Sequence, residues 1–209
     1  VCFAVREEAK YFSSGLPPDV RILLTGIGQR NAEKALRAAL TGPRPGLVLS
    51  CGFAGGLDPQ LATGTVVFAV DSVPGLDSAL IAAGAQPGRF HCAPSIATTV
   101  QEKRLLREKT RADAVEMESQ LICEICREEK IPCATVRVIL DTAQEDLPLD
   151  FNRLMTSDQQ MDYAKLALAL VKSPGKVGAL LRLQKQTDAA ARKLAEVLTR
   201  FTSSVGSRT

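Results

Sequence analysis

The chain has 209 residues, 45% of them apolar, a formal net charge of +3, six cysteines and one histidine. This is enough apolar material for one sizeable core, and it is neither a disordered nor a collagen-like composition. The small charge, the absence of Trp and the two Tyr leave few platforms for stacking bases, so small molecules are expected as partners and nucleic acid is not. Six thiols fit a reducing compartment, where cysteine serves as a small apolar filler. With no apolar run of eighteen residues and no signal-like segment, the expected location is the cytoplasm.

In chain order, residues 1–5, 20–25, 47–51, 65–70, 89–92, 114–117 and 134–140 are short β-branched or apolar runs that read as strands. Helical spacing separates several of them. Residues 31–40 align Ala32, Leu36, Ala39 and Leu40, and residues 118–129 align Leu121, Ile122, Ile125 and Cys126. Strands alternating with helices predict an α/β sheet covered on both faces, with ligands outside the carboxyl ends of the strands. Glu8, Gly26–Gly28, Gly52–Gly56, Glu118 and Asp141 all fall just past predicted strand ends.

After Pro148 the pattern is helical only, with a helix over 157–172, a Ser173-Pro174-Gly175 break and a long helix over 176–201. No linker sets this part off, so residues 1–209 are read as one domain in which 148–209 form a helical C-terminal subdomain. From Lys165 onward nine Lys/Arg face only Asp188 and Glu196. Such a tail is either a solvated helix face or a surface for anionic lipid or another partner.

Several motifs fall short of the chemistry they suggest. Gly26-Ile27-Gly28 lacks the third glycine of a dinucleotide site and no acid ends the next strand, although its glycines let backbone amides approach a ligand at a helix N-terminus. Cys123 and Cys126 have metal or redox spacing but lie mid-helix without a second pair, which favours packing, and no metal is expected. His91 stands alone and reads as structural. Ser50 lacks the flanking glycines and the His partner of a nucleophile turn. Acids in apolar surroundings are different, because an unpaired buried carboxylate costs several kcal/mol. Val115-Glu116-Met117-Glu118 is such a segment, and Val136-Arg137-Val138-Ile139-Leu140-Asp141 follows about twenty residues later.

These two blocks, with Ala4-Val5-Arg6-Glu7-Glu8, Thr25-Gly26-Ile27-Gly28 and Cys51-Gly52-Phe53-Ala54-Gly55-Gly56-Leu57, resemble in order and spacing the purine nucleoside phosphorylase/methylthioadenosine–adenosylhomocysteine nucleosidase superfamily. The resemblance spans roughly residues 1–145. Gly52–Pro59 and Gly178–Leu183 look most like its hopanoid-associated phosphorylase branch, which is implicated in removing adenine from adenosylhopane. The fold implied is a three-layer α/β/α, phosphorylase/hydrolase-like, with a mixed central sheet and appended C-terminal helices. The activity implied is cleavage of the N-glycosidic bond of a 5′-substituted adenosine. The alternatives are a methylthioadenosine/adenosylhomocysteine nucleosidase, a purine nucleoside phosphorylase, or a nucleoside-binding module without turnover. A homodimer or higher homo-oligomer is expected, with a peripheral membrane contact through the basic tail.

By the same resemblance Asp141 protonates purine N7, Glu8 positions or deprotonates water, and Glu118 holds the ribose hydroxyls. Met117, Glu116, Ile27, Gly28, Phe53, Ala54 and Gly55 complete the substrate pocket. The chemistry agrees with this division, since a ribosyl cation forms as the base leaves and must be met by an acid, a sugar clamp and a nucleophile. Raising an aspartic acid from near 3.9 to neutrality costs about 4 kcal/mol, which an apolar neighbour such as Leu140 eases; relatives commonly carry Ser there. No cofactor is implied, and phosphate is a co-substrate only if the reaction is phosphorolytic. Phe53 stands where phosphorolytic relatives have serine and Ser50 where one branch has arginine, leaving Arg6 and Arg30 as substitutes. Water is the favoured nucleophile.

Overall fold

Two parallel strands, β3 (Val48–Gly56) and β8 (Cys133–Asp141), form the spine of the protein, and nearly every residue in them is buried. Strands covered on both faces are mostly apolar, and the buried polar residues that interrupt these two are Ser50, Thr135, Arg137 and Asp141. The computed structural model describes residues 1–206 apart from 14, 15, 72, 73, 157, 159–161, 163, 166, 167 and 169–173. Around the spine lie β1 (Cys2–Phe3), β2 (Leu23–Leu24), β4 (Val66–Val70) and β5 (Gln86–Pro87), in the order β2-β1-β3-β8-β4-β5. β4 runs antiparallel to β8, so the sheet is mixed. At its far end β3 pairs antiparallel with β7 (Ala114–Glu116), which carries β6 (Phe90–Cys92) beside it.

Helices α2 (Gln29–Ala39) and α5 (Ser119–Glu128) cover one face. Ala32, Leu36, Ile122, Ile125 and Cys126 pack there on Cys2, Val48 and Cys133. The other face is covered by α1 (Arg6–Ala9), α3 (Leu76–Ala83) and α6 (Val177–Gly206). α6 lays Ala190, Leu194, Val197, Leu198 and Phe201 against Leu49, Val136 and Val138. Each Leu or Phe buried this way contributes about 1.5–3 kcal/mol, so this helix is part of the core. α4 (Val100–Thr110) starts at Thr99, whose hydroxyl accepts the Glu102 N–H while the Glu102 carboxylate accepts the Thr99 N–H.

The mixed three-layer fold agrees with the expectation, and several boundaries do not. The strand predicted over 47–51 continues through Gly56, because the residues taken as a glycine turn find ladder partners in β8 and then in β7. β1 and β2 are shorter than predicted, and α1, α3, α4 and β5 occupy stretches where no element was assigned. The helix predicted over 157–172 lies largely outside the described residues, whereas the final helix runs to Gly206. Among the described residues no helix is long and apolar enough to cross a membrane.

Candidate active site

The carboxyl ends of β3, β7 and β8 converge on a cavity of about 300 Å³. Glu8, Ile27, Phe53, Ala54, Gly55, Glu116, Met117, Glu118 and Asp141 all line it, together with Ala4, Val5, Val115 and Leu140. Gly28 does not. Its N–H, at the start of α2, donates to Glu118 Oε1 at 2.8 Å, so the amide that was expected to meet a ligand is taken by a carboxylate.

Glu8 sits on α1, 5% exposed, where Oε2 accepts from the Ala4 and Val5 N–H groups and Oε1 from the Phe53 N–H at 2.8 Å. Burial pushes its carboxyl up to about 7, against the pull of Arg137 and with the help of Glu118. Glu116 ends β7 with its carboxylate fully engaged, by the Glu118 and Ser119 N–H groups, the Ser119 hydroxyl and Arg137 at 2.6 Å. Burial opposes that charge, but Arg137 and the two amides outweigh it and hold Glu116 below its ordinary value. Glu118, at the N-terminus of α5, is shifted upward by burial despite Arg137 at 3.2 Å, with Glu116 adding to the rise.

Arg137 is the hub of this group and is 1% exposed. Its guanidinium donates to the Cys51 carbonyl, the Ser50 hydroxyl, Glu116 and Glu118. Burial works against its charge, yet the three surrounding carboxylates outweigh that and raise it above its ordinary value. Room for it comes from Gly52, which pairs with it across β3 and β8. Any Cβ at Gly52, whose φ is +153°, would strike both Arg137 and the Glu8 carboxylate.

Asp141 ends β8 and is paired with Lys103 of α4, a lysine with no exposed surface. Burial raises the Asp141 carboxyl, the Lys103 ammonium opposes the rise, and Glu145 adds to it. The contact lacks hydrogen-bond geometry, which leaves Asp141 Oδ2 as a buried acceptor without a hydrogen-bond donor. Gly55 lies beside it, where a side chain would crowd Val115 and Asp141.

Sequence reasoning missed Lys103 and the outer wall, and it saw Arg137 only as a pairing partner for Glu118 or Asp141, of which the structure shows the Glu118 pair. Lys103 lies in a helix of mostly charged residues that reads as solvated. The outer wall comes from Ser95, Ile96, Ala97, Leu147, Phe151 and, on α6, Leu183 and Thr187. Arg6 and Arg30 are exposed and do not line the cavity, and Ser50 is buried behind it against Arg137. Cys126 packs in the core as expected, while Cys123 meets a partner the spacing does not reveal, Cys133 of β8, with the sulfurs 2.7 Å apart.

The fold that positions these residues is shared with solved nucleosidase and hydrolase structures. The sequence pattern of the Phosphorylase superfamily matches residues 77–172. The 5′-methylthioadenosine/S-adenosylhomocysteine nucleosidase of Glaesserella parasuis serovar 5 is 26% identical over 171 residues, covering 66% of this chain and 74% of that one. The nucleosidase of the same name from Tolumonas auensis is 25% identical over 174 residues, again 66% and 74%. Among solved structures, a mutant Helicobacter pylori nucleosidase holding 5′-methylthioadenosine superposes with a TM-score of 0.71 at 13% identity, covering 97% of this chain and 96% of that one. The futalosine hydrolase of the same organism gives 0.69 at 16% identity, with 97% and 96% covered.

Proposed function

We propose that the protein cleaves the N-glycosidic bond of a 5′-substituted adenosine with water and releases adenine. The observation that carries this is the meeting of Glu8, Glu118 and Asp141, from three distant segments, in one buried cavity. Asp141, whose Oδ2 lies against Lys103 and whose carboxyl is raised by burial, is the acid that meets purine N7. Glu118, anchored through Oε1 on Gly28 and Oε2 on Arg137, turns its remaining lone pairs to the ribose hydroxyls, and Met117 packs on the sugar. Glu8, poised about 7, takes a proton from water near neutral pH. Glu116 and Arg137 hold this set in place. As the bond breaks, the carboxylates stabilise positive charge developing on the ribosyl group.

Water is favoured over phosphate because neither Arg6 nor Arg30 reaches the cavity and Phe53 occupies its wall, whereas a tetrahedral anion calls for bidentate guanidinium donors. The 5′ group meets Ile96, Leu147, Phe151 and Leu183, an apolar surround suited to an apolar substituent. A polyterpenoid one, as in adenosylhopane, is our preferred reading within the hopanoid-associated branch. Such a substrate is nearly insoluble. α6 exposes Val177 and Leu181 beside Arg182 and Lys185 while Leu183 lines the cavity, which supports a peripheral membrane contact of a cytoplasmic homo-oligomer. The names of the curated relatives favour a second reading, with a small 5′-thio substituent.

A panel of adenosine derivatives, with and without phosphate and with mass spectrometry of base and sugar products, tests these readings. Free adenine and free sugar without phosphate are expected. Sugar phosphate would make the protein a phosphorylase, and melting shifts without adenine release would make it a binding module. Preference for small thio substrates over a polyterpenoid one would select the second reading.

A further inference from the structure

Lys103 is buried to the last atom, yet its Nζ lies within reach of three oxygens and no water-facing surface. It donates to the Thr142 carbonyl at 2.7 Å and the Glu145 carbonyl at 2.6 Å, and its charge faces Asp141. An ammonium has three N–H bonds; two fasten the turn that follows β8, and its charge lies against Asp141 Oδ2. The same turn is tied to α4 from outside. The Val100 N–H donates to Asp146 at 2.6 Å and the Leu147 N–H to the Thr98 carbonyl at 2.8 Å. Further on, Asn152 bonds both the N–H and the carbonyl of Ile96. Leu147, Phe151 and Ile96 are cavity walls, so Lys103 touches both Asp141 and the start of the segment that carries Leu147 and Phe151.

We propose that Lys103 is a positioning residue of the reaction, holding the Asp141 carboxylate toward the substrate base and fastening the 142–152 wall to α4. This rests on the reading of Asp141 as the group that meets the base. Burying a lysine without an anionic partner is costly, and a lysine whose work was only to bond two carbonyls needs no acid opposite it. The charged groups facing Asp141 are Lys103 from α4 and Glu145 from the turn after β8. On β3 its neighbours are the uncharged Gly55 and Gly56. An ammonium favours the charged carboxylate, so removing it lets Asp141 keep its proton to higher pH, and neutralising Glu145 does the reverse.

The test compares wild type with Lys103→Met, Lys103→Arg and Glu145→Gln in adenine release across pH. Lys103→Met is expected to lower kcat about 10–100-fold with KM changed less than about threefold, and to move the alkaline limb of the profile to higher pH. Lys103→Arg returns the limb toward wild type, and Glu145→Gln moves it down. A fall in rate with the limb unmoved overturns the proposal, since a merely structural lysine behaves that way. Carboxyl NMR, with Asp141 assigned through Asp141→Asn, gives a readout free of turnover: Asp141 titrates at higher pH once Lys103 is neutral. Where Met is not tolerated, Lys103→Gln keeps donors for the two carbonyls and serves as the uncharged comparison. If wild type releases no adenine from any nucleoside, the reaction reading falls, while the titration still decides whether Lys103 controls Asp141.

Discussion

Two buried cations hold the acids of this cavity, and they work under opposite balances. Lys103 faces one carboxylate, whereas Arg137 is surrounded by Glu8, Glu116 and Glu118. One guanidinium cannot neutralise three carboxylates, so the protons divide. Glu116, with the best donors, is held below its ordinary value, whereas burial raises Glu8 and Glu118, each helped by a neighbouring acid that Arg137 does not offset. Burial and the single guanidinium thus leave Glu8 poised near neutral pH, where the proposed base has to work. The Lys103 pair restrains the rise that burial imposes on Asp141.

The largest break in this comparison is removal of the hub. Arg137→Met leaves buried carboxylates unpaired and is expected to cost about 3–5 kcal/mol of stability, read by denaturant unfolding, with loss of all activity. An unchanged midpoint would remove Arg137 from its place as organiser. Next come the acids themselves. Asp141→Asn and Glu8→Gln are each expected to cut kcat about 10²–10⁴-fold with modest change in KM, and near-wild-type adenine release from both would sink the mechanism.

The pH dependence of stability sharpens the comparison without any substrate. Glu8 rises from its ordinary 4.5 to about 7 in the folded protein, so the folded state holds a proton that the unfolded chain releases. This favours folding below about 4.5 and is lost as pH climbs to about 7, an effect of about 3 kcal/mol at most. Glu8→Gln removes that slope from melts taken across the window, and a parallel pair of curves would contradict it. Glu118→Gln weakens the ribose clamp, with kcat/KM expected to fall about 10–150-fold, or about 1.5–3 kcal/mol. The smallest effect lies on the surface. Changing Lys185, Arg192 and Lys193 together to Gln is expected to weaken salt-sensitive co-sedimentation with anionic vesicles. Each unpaired cation is worth about 1 kcal/mol there, but Arg192 already pairs with Asp188 and Lys193 with Glu196. Equal recovery with neutral and anionic vesicles would leave α6 an ordinary solvated face.

The acids were legible in the sequence because carboxylates at predicted strand ends are conspicuous, and the structure brings Glu8, Glu118 and Asp141 to one cavity. The glycine run after Ser50 misled, since glycine marks turns by composition whereas Gly52 here serves by having no side chain to obstruct Arg137. Lys103 left no signal at all, because two of its partners are backbone carbonyls 39 and 42 residues away and carry no residue identity. Leu183 was hidden by its own helix, whose cations drew the reading toward the surface.

The cavity draws on the chain from Ala4 to Thr187, and its ties join positions 45, 87 and 90 residues apart. Contacts of such long range are slow to form, because loop closure must precede any gain from them. Until β8 inserts beside β3, Glu8, Glu116 and Glu118 have no guanidinium to meet, and keeping them in water is cheaper than burying them. Burying the acids is therefore coupled to the placing of β8: a sheet without it holds no guanidinium for them, and the cavity is complete only when β8 lies beside β3.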